Sequence, residues 1–189
     1  MPFINPTLLE HFLSPRNVGD ASEPSFTGRS ASLSCGATLR VSVQVDESHR
    51  IIDSKFKAAG CSLLVATLSL LTDRVIGKSI SEAASIAREP ESSCPELMPH
   101  QGSRCLTLAG DALIAALREF SDAAREDWLG NESLICTCFC VSEQSITQEI
   151  MRKGLMSVSE VTRETNAGAG CGSCHSLIQD LIDESVEDL

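Results

Sequence analysis

Four cysteines standing in two tight pairs constrain this chain more than any other feature. They are Cys136-Thr137-Cys138 and Cys171-Gly172-Ser173-Cys174, with 32 residues between them. A four-thiolate site needs such pairs: each short loop supplies two soft ligands, and folding brings the loops together. Gly168, Gly170 and Gly172 leave the second loop free to wrap closely around inorganic sulfur and to offer it N–H donors. Cys171 and Cys174 fall where a last helix is expected to begin, and its N-terminal dipole favours thiolate. A structural zinc ion fits the same spacing. The C-x-C pair with a glycine-rich second loop tilts toward iron–sulfur, because zinc ribbons more often use C-x2-C twice. Paired thiols with no metal at all are the weakest reading.

The compartment follows from the thiols. The opening MPFINPTLLEHF has no basic stretch leading into an apolar one, so no secretory leader is expected. The longest nearly continuous apolar run, Cys61 to Leu71, is too short to span a bilayer. Nine cysteines, an odd number, suit metal or thiol chemistry in a reducing cytosol better than a disulfide framework. Nucleic acid is excluded as the main ligand, because a net charge of −11 and only 4% aromatic residues offer neither a phosphate-binding surface nor stacking platforms.

At 189 residues, 42% of them apolar, the chain has material for one or two packed domains. Residues 1–121 carry 11 basic and 13 acidic side chains, a net of −2, whereas residues 122–189 carry 4 and 13, a net of −9. The polar stretch SDAAREDWLGNES, with its helix-stopping Gly130-Asn131, separates them. Two domains are therefore expected, over 1–129 and 130–189.

In the first, Thr38–Val45 alternates strictly, placing Leu39, Val41, Val43 and Val45 on one face. A turn over Asp46–Arg50 leads to a second strand, IIDSKFKA, expected to turn Ile52, Phe56 and Ala58 inward. After Gly60-Cys61 the period becomes helical, with Leu64, Val65, Leu68, Leu71 and Val75 aligned until Gly77. Ser79-Ile80-Ser81-Glu82 opens a short helix as a capping box. A proline-rich loop holding Cys94 follows, and a last helix is expected from about Cys105 to Ala124 with Leu108, Ala112, Leu113, Ala116, Leu117 and Phe120 inward. Strands followed by helices make an α+β domain. The second domain reads as short helices only: Glu143–Lys153, one opened by Ser157-Val158-Ser159-Glu160, and Gly172–Glu184. So thin a core often needs a metal staple.

Three further cysteines, Cys35, Cys61 and Cys105, fall at element ends, with Cys61 and Cys105 read as helix N-termini. Three such thiols can converge into an incomplete, exchangeable metal site, or can be small buried residues. Spacing alone leaves the two readings even.

SLSCGATLRVSVQVD, FKAAGCSLLVATLSLLTDRVIGKSISEA, RCLTLAGDALIAALREF and the opening HFLSPRNVG resemble the IscU/NifU scaffold domain over roughly residues 8–121. ICTCFCVSEQSITQEIM, GLMSVSEVTRET and AGAGCGSCHSLIQDLI resemble the bacterioferritin-associated-ferredoxin-type 2Fe-2S domain found in the middle of NifU proteins. The resemblance implies an IscU-like sheet with packed helices followed by a small all-α 2Fe-2S domain. It implies a labile iron–sulfur cluster, or iron or zinc, on Cys35, Cys61 and Cys105, and a permanent 2Fe-2S cluster on Cys136, Cys138, Cys171 and Cys174. The implied role is that of a carrier, not an enzyme. A cysteine desulfurase delivers sulfur, apo-proteins receive the cluster, the permanent centre supplies electrons, and the chain forms a homodimer. NifU proteins commonly continue into a third domain, for which this chain, ending at Leu189, has no room.

Two departures stand out. The family usually reads Cys-Gly-Asp where this chain has Cys35-Gly36-Ala37, and His before the third cysteine where it has Arg104. Both lost groups are potential ligands, and arginine is always cationic. They favour an alternative reading, a 2Fe-2S electron-transfer or redox-sensing protein with a degenerate scaffold domain; a zinc-binding interaction protein is a third. Leu97-Met98-Pro99-His100-Gln101 only loosely matches the family's chaperone-docking segment. Cys140 reads as a spare thiol, Cys94 as incidental, His175 as exposed or as a hydrogen-bonding neighbour of the cluster, His100 as a solvated loop residue, and His11 and His49 as surface or packing residues.

Overall fold

A computed structural model describes residues 6–46, 48–90, 95, 99–127 and 133–187. Cys94, Leu97-Met98 and Gly130-Asn131 lie outside these residues, as do the side chains of 99–103, His100 among them. The described chain forms two compact units. One runs up to Lys78 and resumes over Glu82–Glu119; the other takes Ser79–Ser81 and the residues from Phe120 onward.

The first unit opens with helix α1, Pro6–Leu13, followed by an antiparallel sheet of β1 (Phe26–Ala31), β2 (Thr38–Val45) and β3 (Ile51–Ala59) in that spatial order. Helices α2 (Ser62–Val75), α3 (Ile80–Arg88) and α4 (Pro99–Asp127) follow. The alternation of β2 holds for Leu39, Val41 and Val43, which are buried, whereas Val45 at the register slip is only half-buried and Ser42 of the opposite face is buried. Its turn to β3 closes on Asp46, whose carboxylate accepts the N–H groups of Ser48 and Arg50 at 2.9 and 2.8 Å.

Strand β1 is an addition to the sequence reading. FTGRSA lacks an apolar alternation, and only Phe26 and Thr27 favour a strand, yet it pairs with β2 along its whole length. Gly28 lets it do so. A Cβ there would lie 1.9 Å from the Ala112 carbonyl oxygen and 2.4 Å from the Ala116 nitrogen of α4, so strand and helix backbones meet where a side chain would stand.

The inward face of β3 also differs. Ile51 is 0% exposed and Ile52 50%, the reverse of the expected phase. The register slips between Gln44 and Val45, so Gln44 faces Asp53 while Val45 faces Ile51. The unpaired Ile52 is a bulge, and past it Ser54 and Phe56 turn inward.

Helix α2 is buried on nearly every side, as its apolar residues on all faces require. Leu8 of α1, Ala66 and Leu70 of α2 and Leu106 of α4 pack as one cluster. The His11 Nδ1 lies 2.8 Å from the Ser69 hydroxyl, which also accepts the Arg16 N–H at 2.7 Å, so His11 is a packing residue. Helix α4 begins at Pro99, earlier than expected, and buries Leu106 in place of Leu108.

The second unit contains helices α5 (Glu143–Lys153), α6 (Val158–Thr165) and α7 (His175–Glu187). Ahead of them runs a two-stranded ladder, β4 (Leu134–Cys136) and β5 (Val141–Ser142), which a reading in helices alone did not contain. Ser157 caps α6 by accepting the Glu160 N–H, while the Glu160 carboxylate accepts the Met156 N–H at 2.9 Å, one residue short of a reciprocal capping box. Helix α7 starts at His175, three residues late, because Gly172 (φ +74°) and its neighbours form a loop instead. Ile146, Ile150, Val161, Ile178 and Ile182 form the small core. No helix among the described residues is long and apolar enough to cross a membrane.

An acid-sensitive tie joins α5 to α6. Lys153 bridges Glu149 at 2.9 Å and Glu164 at 2.7 Å, and Arg152 pairs with Glu149 at 2.8 Å. Hydrogen bonds from Arg152 and then Lys153 hold the Glu149 carboxyl at about 2, below its ordinary 4.5. A depressed carboxyl stabilises the fold fully above its unfolded value, and that contribution drains away as pH falls through the folded one. The melting temperature of the second unit should therefore drop between pH 4.5 and pH 2 more steeply in the parent than in Glu149→Gln. Thermal melts followed by circular dichroism check this, and equal slopes would discount the tie.

Candidate metal centres

In the first unit three loops and helix ends carry thiols. Cys35 stands on the β1–β2 turn, where Gly36 (φ +70°) donates to the Ser32 carbonyl at 2.8 Å and Ser32 donates to that of Ala37 at 2.8 Å. The Ser32 hydroxyl, then the Ala37 N–H, and further off the Arg104 charge, draw the exposed Cys35 thiol below its ordinary range. Cys61 is the N-cap of α2 and is also exposed. Cys105 does not open its helix: with α4 starting at Pro99 it lies within the second turn, half-buried. No helix dipole assists it there. Burial, then the neighbouring Cys61 and Cys35 thiols, push it up to about 11.

The Cys61 and Cys105 sulfurs are 3.9 Å apart. Two thiolates on one tetrahedral metal, with metal–sulfur bonds of about 2.3 Å, are separated by roughly 3.8 Å. The Cys61–Cys105 spacing equals one edge of such a tetrahedron, while Cys35, on its own turn, is close enough to influence Cys105 but is not brought with the pair into a three-ligand group. Ala37 is 5% exposed and packs toward Gly60: a Cβ on Gly60 would come within 3.1 Å of that of Ala37.

The second unit pairs its thiols across the two motifs. The Cys138 and Cys171 sulfurs are 3.6 Å apart, and the Cys174 thiol is hydrogen-bonded with that of Cys136. Cys136, on β4, is 2% exposed and Cys174 5%; Cys138 is half-buried and Cys171 exposed. Burial first, and Cys136 second, push Cys174 up to about 11. The Ser173 hydroxyl, 3.0 Å from its sulfur, then the Ser173 N–H and Cys138, draw Cys171 down to about 7. Sequence reasoning passed over Ser32 and Ser173 as thiol partners; the serine inside C-G-S-C was the available signal.

Gly170 is needed for this approach. A Cβ there would sit 2.7 Å from the Cys138 Cβ and 2.8 Å from its sulfur. The His175 ring lies against Gly168, its Nε2 3.0 Å from the Gly168 carbonyl oxygen. Cys140 (φ +51°) is half-buried outside both pairs. Among the described residues no three cysteine, histidine, aspartate or glutamate side chains close into one ready cage. A single tetrahedral zinc would need every sulfur–sulfur edge near 3.8 Å. The Cys138–Cys171 pair has the spacing of two thiolates on one metal, and the donor set of the four is all sulfur, as iron–sulfur clusters and four-thiolate zinc sites both have.

Residues 4–127 match the family model of the NifU-like N terminal domain, and residues 134–184 that of the BFD-like [2Fe-2S] binding domain. The chain is 33% identical over 190 residues to the nitrogen fixation protein NifU of Trichormus azollae, covering 96% of this chain and 63% of that protein. It is 35% identical over 116 residues to the iron-sulfur cluster assembly enzyme IscU of Drosophila melanogaster, covering 60% of this chain and 75% of the relative. The chain thus spans less than two thirds of the NifU protein's own length. A crystal structure of a putative iron-sulfur cluster assembly scaffold protein for the SUF system, from Fervidobacterium islandicum AW-1, matches in fold with a TM-score of 0.50. It is 20% identical and covers 59% of this chain and 94% of its own.

Proposed function

Because the chain belongs to the family of the NifU-like N terminal domain, we propose that it is an iron–sulfur cluster assembly scaffold with a resident 2Fe-2S centre. Its cargo cluster would form on Cys35, Cys61 and Cys105, within residues 1–129, and pass to apo-proteins. Cys136, Cys138, Cys171 and Cys174, within residues 130–189, would hold the resident centre, which supplies one-electron transfer when bound. The observation that carries this reading is the contrast between an open thiol pair with a third thiol on a turn beside it and a set half enclosed in a core.

The scaffold residues divide the work by exposure. Cys35, exposed and hydrogen-bonded to Ser32, holds more of its thiolate and meets the sulfur delivered by a cysteine desulfurase. Cys61 and Cys105 are already spaced to hold one iron of the cargo. Arg104 offsets part of the charge that three thiolates and sulfide bring together. A site of three ligands leaves a coordination position through which a recipient can take the cluster.

The buried Ala37 and cationic Arg104 favour a second reading, electron transfer or redox sensing with a scaffold unit that no longer turns over. Anaerobic reconstitution with iron, cysteine and a desulfurase separates the two. A scaffold acquires a chelator-labile iron pool in addition to a resistant one, whereas a pure electron carrier acquires the resistant pool alone. A chain that binds zinc and stays colourless under reconstitution would end both readings. In the same assay Ala37→Asp should release its cluster to an apo-ferredoxin several-fold faster and melt at a lower temperature, since it sets a carboxyl in a nearly buried position beside Gly60. Identical transfer rates would remove any role for position 37.

A further inference from the structure

We infer that the four thiols of the second unit work as two cross-motif pairs, Cys136 with Cys174 enclosed and Cys138 with Cys171 open to solvent. Each iron of the centre is then held by one residue of each motif, and the outer iron is the one that takes up the electron. This rests on the resident-centre reading above and assigns the two ends of that centre.

The pairing follows from geometry. Residues close in sequence do not share a metal here. Cys136 belongs to a strand and points into the core, while Cys138, two residues on, sits on the β4–β5 turn facing the glycine loop. Gly170 lets that turn and loop touch, which brings Cys138 to Cys171 at 3.6 Å. Cys174 lies one residue before α7, its carbonyl accepting the Ile178 N–H at 3.0 Å, and this anchor holds its thiol inward against Cys136. The 3.6 Å separation is the edge expected for two thiolates on one tetrahedral metal.

The asymmetry follows from surroundings. Reduction adds one negative charge, and that charge is better stabilised where the ligand sulfurs meet water and hydrogen-bond donors. The enclosed pair, 2% and 5% exposed, meets little of either. The outer pair has an exposed Cys171 sulfur with the Ser173 hydroxyl at 3.0 Å. An iron held by Cys138 and Cys171 would therefore be the better placed of the two to accept one electron from a low-potential donor. Ser173 becomes a positioning residue for the outer sulfur.

Two measurements test the two halves. In metal-stripped protein carrying Cys140→Ser, the azo oxidant diamide takes two electrons and two protons from a thiol pair to form a disulfide. Cleavage at Arg152, Lys153 and Arg163 separates the motifs for mass spectrometry. Cys136→Ser/Cys174→Ser and Cys138→Ser/Cys171→Ser each leave a matched pair, whose cross-motif disulfide, once formed, should be at least ten-fold harder to reduce at equilibrium with glutathione than that of Cys136→Ser/Cys171→Ser or Cys138→Ser/Cys174→Ser. Equal equilibrium constants in protein that retains its helical signal overturn the pairing. In the iron-loaded full chain, Ser173→Ala should shift the dithionite-titrated reduction potential downward and alter the low-temperature electron paramagnetic resonance spectrum. An unchanged potential and spectrum overturn the outer-iron assignment. A chain that never loads iron would sink the resident-centre reading while the disulfide result still judges the pairing.

Discussion

Gly28→Ala should abolish the cooperative unfolding transition of the first unit. The new Cβ would sit 1.9 Å from the Ala112 oxygen, 2.4 Å from the Ala116 nitrogen and 2.9 Å from the Ala115 Cβ. Two of these are helix backbone atoms, which no rotamer change can move aside. Relief requires β1 to lift from α4 along its length, exposing the sheet face beneath. Ordinary overpacking costs about 1–3 kcal/mol, and a clash with backbone on both sides exceeds that range. A domain whose whole stability is on the order of 5–15 kcal/mol has little to spare. Urea unfolding followed by circular dichroism reads the effect. A Gly28→Ala protein with the parent's midpoint would mean that β1 does not dock on α4.

The second large effect separates two iron pools. In reconstituted protein, Cys136→Ser/Cys174→Ser should remove the chelator-resistant iron, about two atoms per chain for a 2Fe-2S centre, and leave the labile pool. Cys61→Ser or Cys105→Ser should do the opposite, because each breaks the 3.9 Å pair that is spaced for one metal. Iron and sulfide content before and after a mild chelator decides it. If either variant emptied both pools, the sites would not be independent. If Cys105→Ser left the labile pool intact, the first unit would not be carrying its cluster on these thiols.

Particular residues show how far the sequence could be read. Strand β2 was legible because Leu39, Val41 and Val43 alternate within seven residues, a signal that needs no partner. Helix α5 was legible in its bounds, Glu143–Lys153, and α6 from the serine that opens it, Ser157, whereas the Ser142 cap of α5 emerged only in the structure. Strand β1 was not, since Gly28, Arg29 and Ser30 describe no strand until α4 is there to accept the glycine. The start of α4 was missed because prolines at 90, 95 and 99 read as breaks, although Pro99 suits the first position of a helix. That error placed Cys105 at a helix N-terminus and gave it a dipole that it does not have.

The sequence by itself determined which thiols are available, that four of them come in two close pairs, and that the β2–β3 hairpin is followed by helices. These are properties of residue type and local period, carried by neighbours a few positions apart. Only the tertiary structure decided that Ile51 rather than Ile52 faces the core, because a bulge is set by the register of the opposing strand. Only it decided that Cys61 meets Cys105 and that Cys138 meets Cys171. A sulfur–sulfur distance depends on how a turn, a glycine loop and a helix start close on one another across 33 or 44 residues, and local spacing contains no record of that closure.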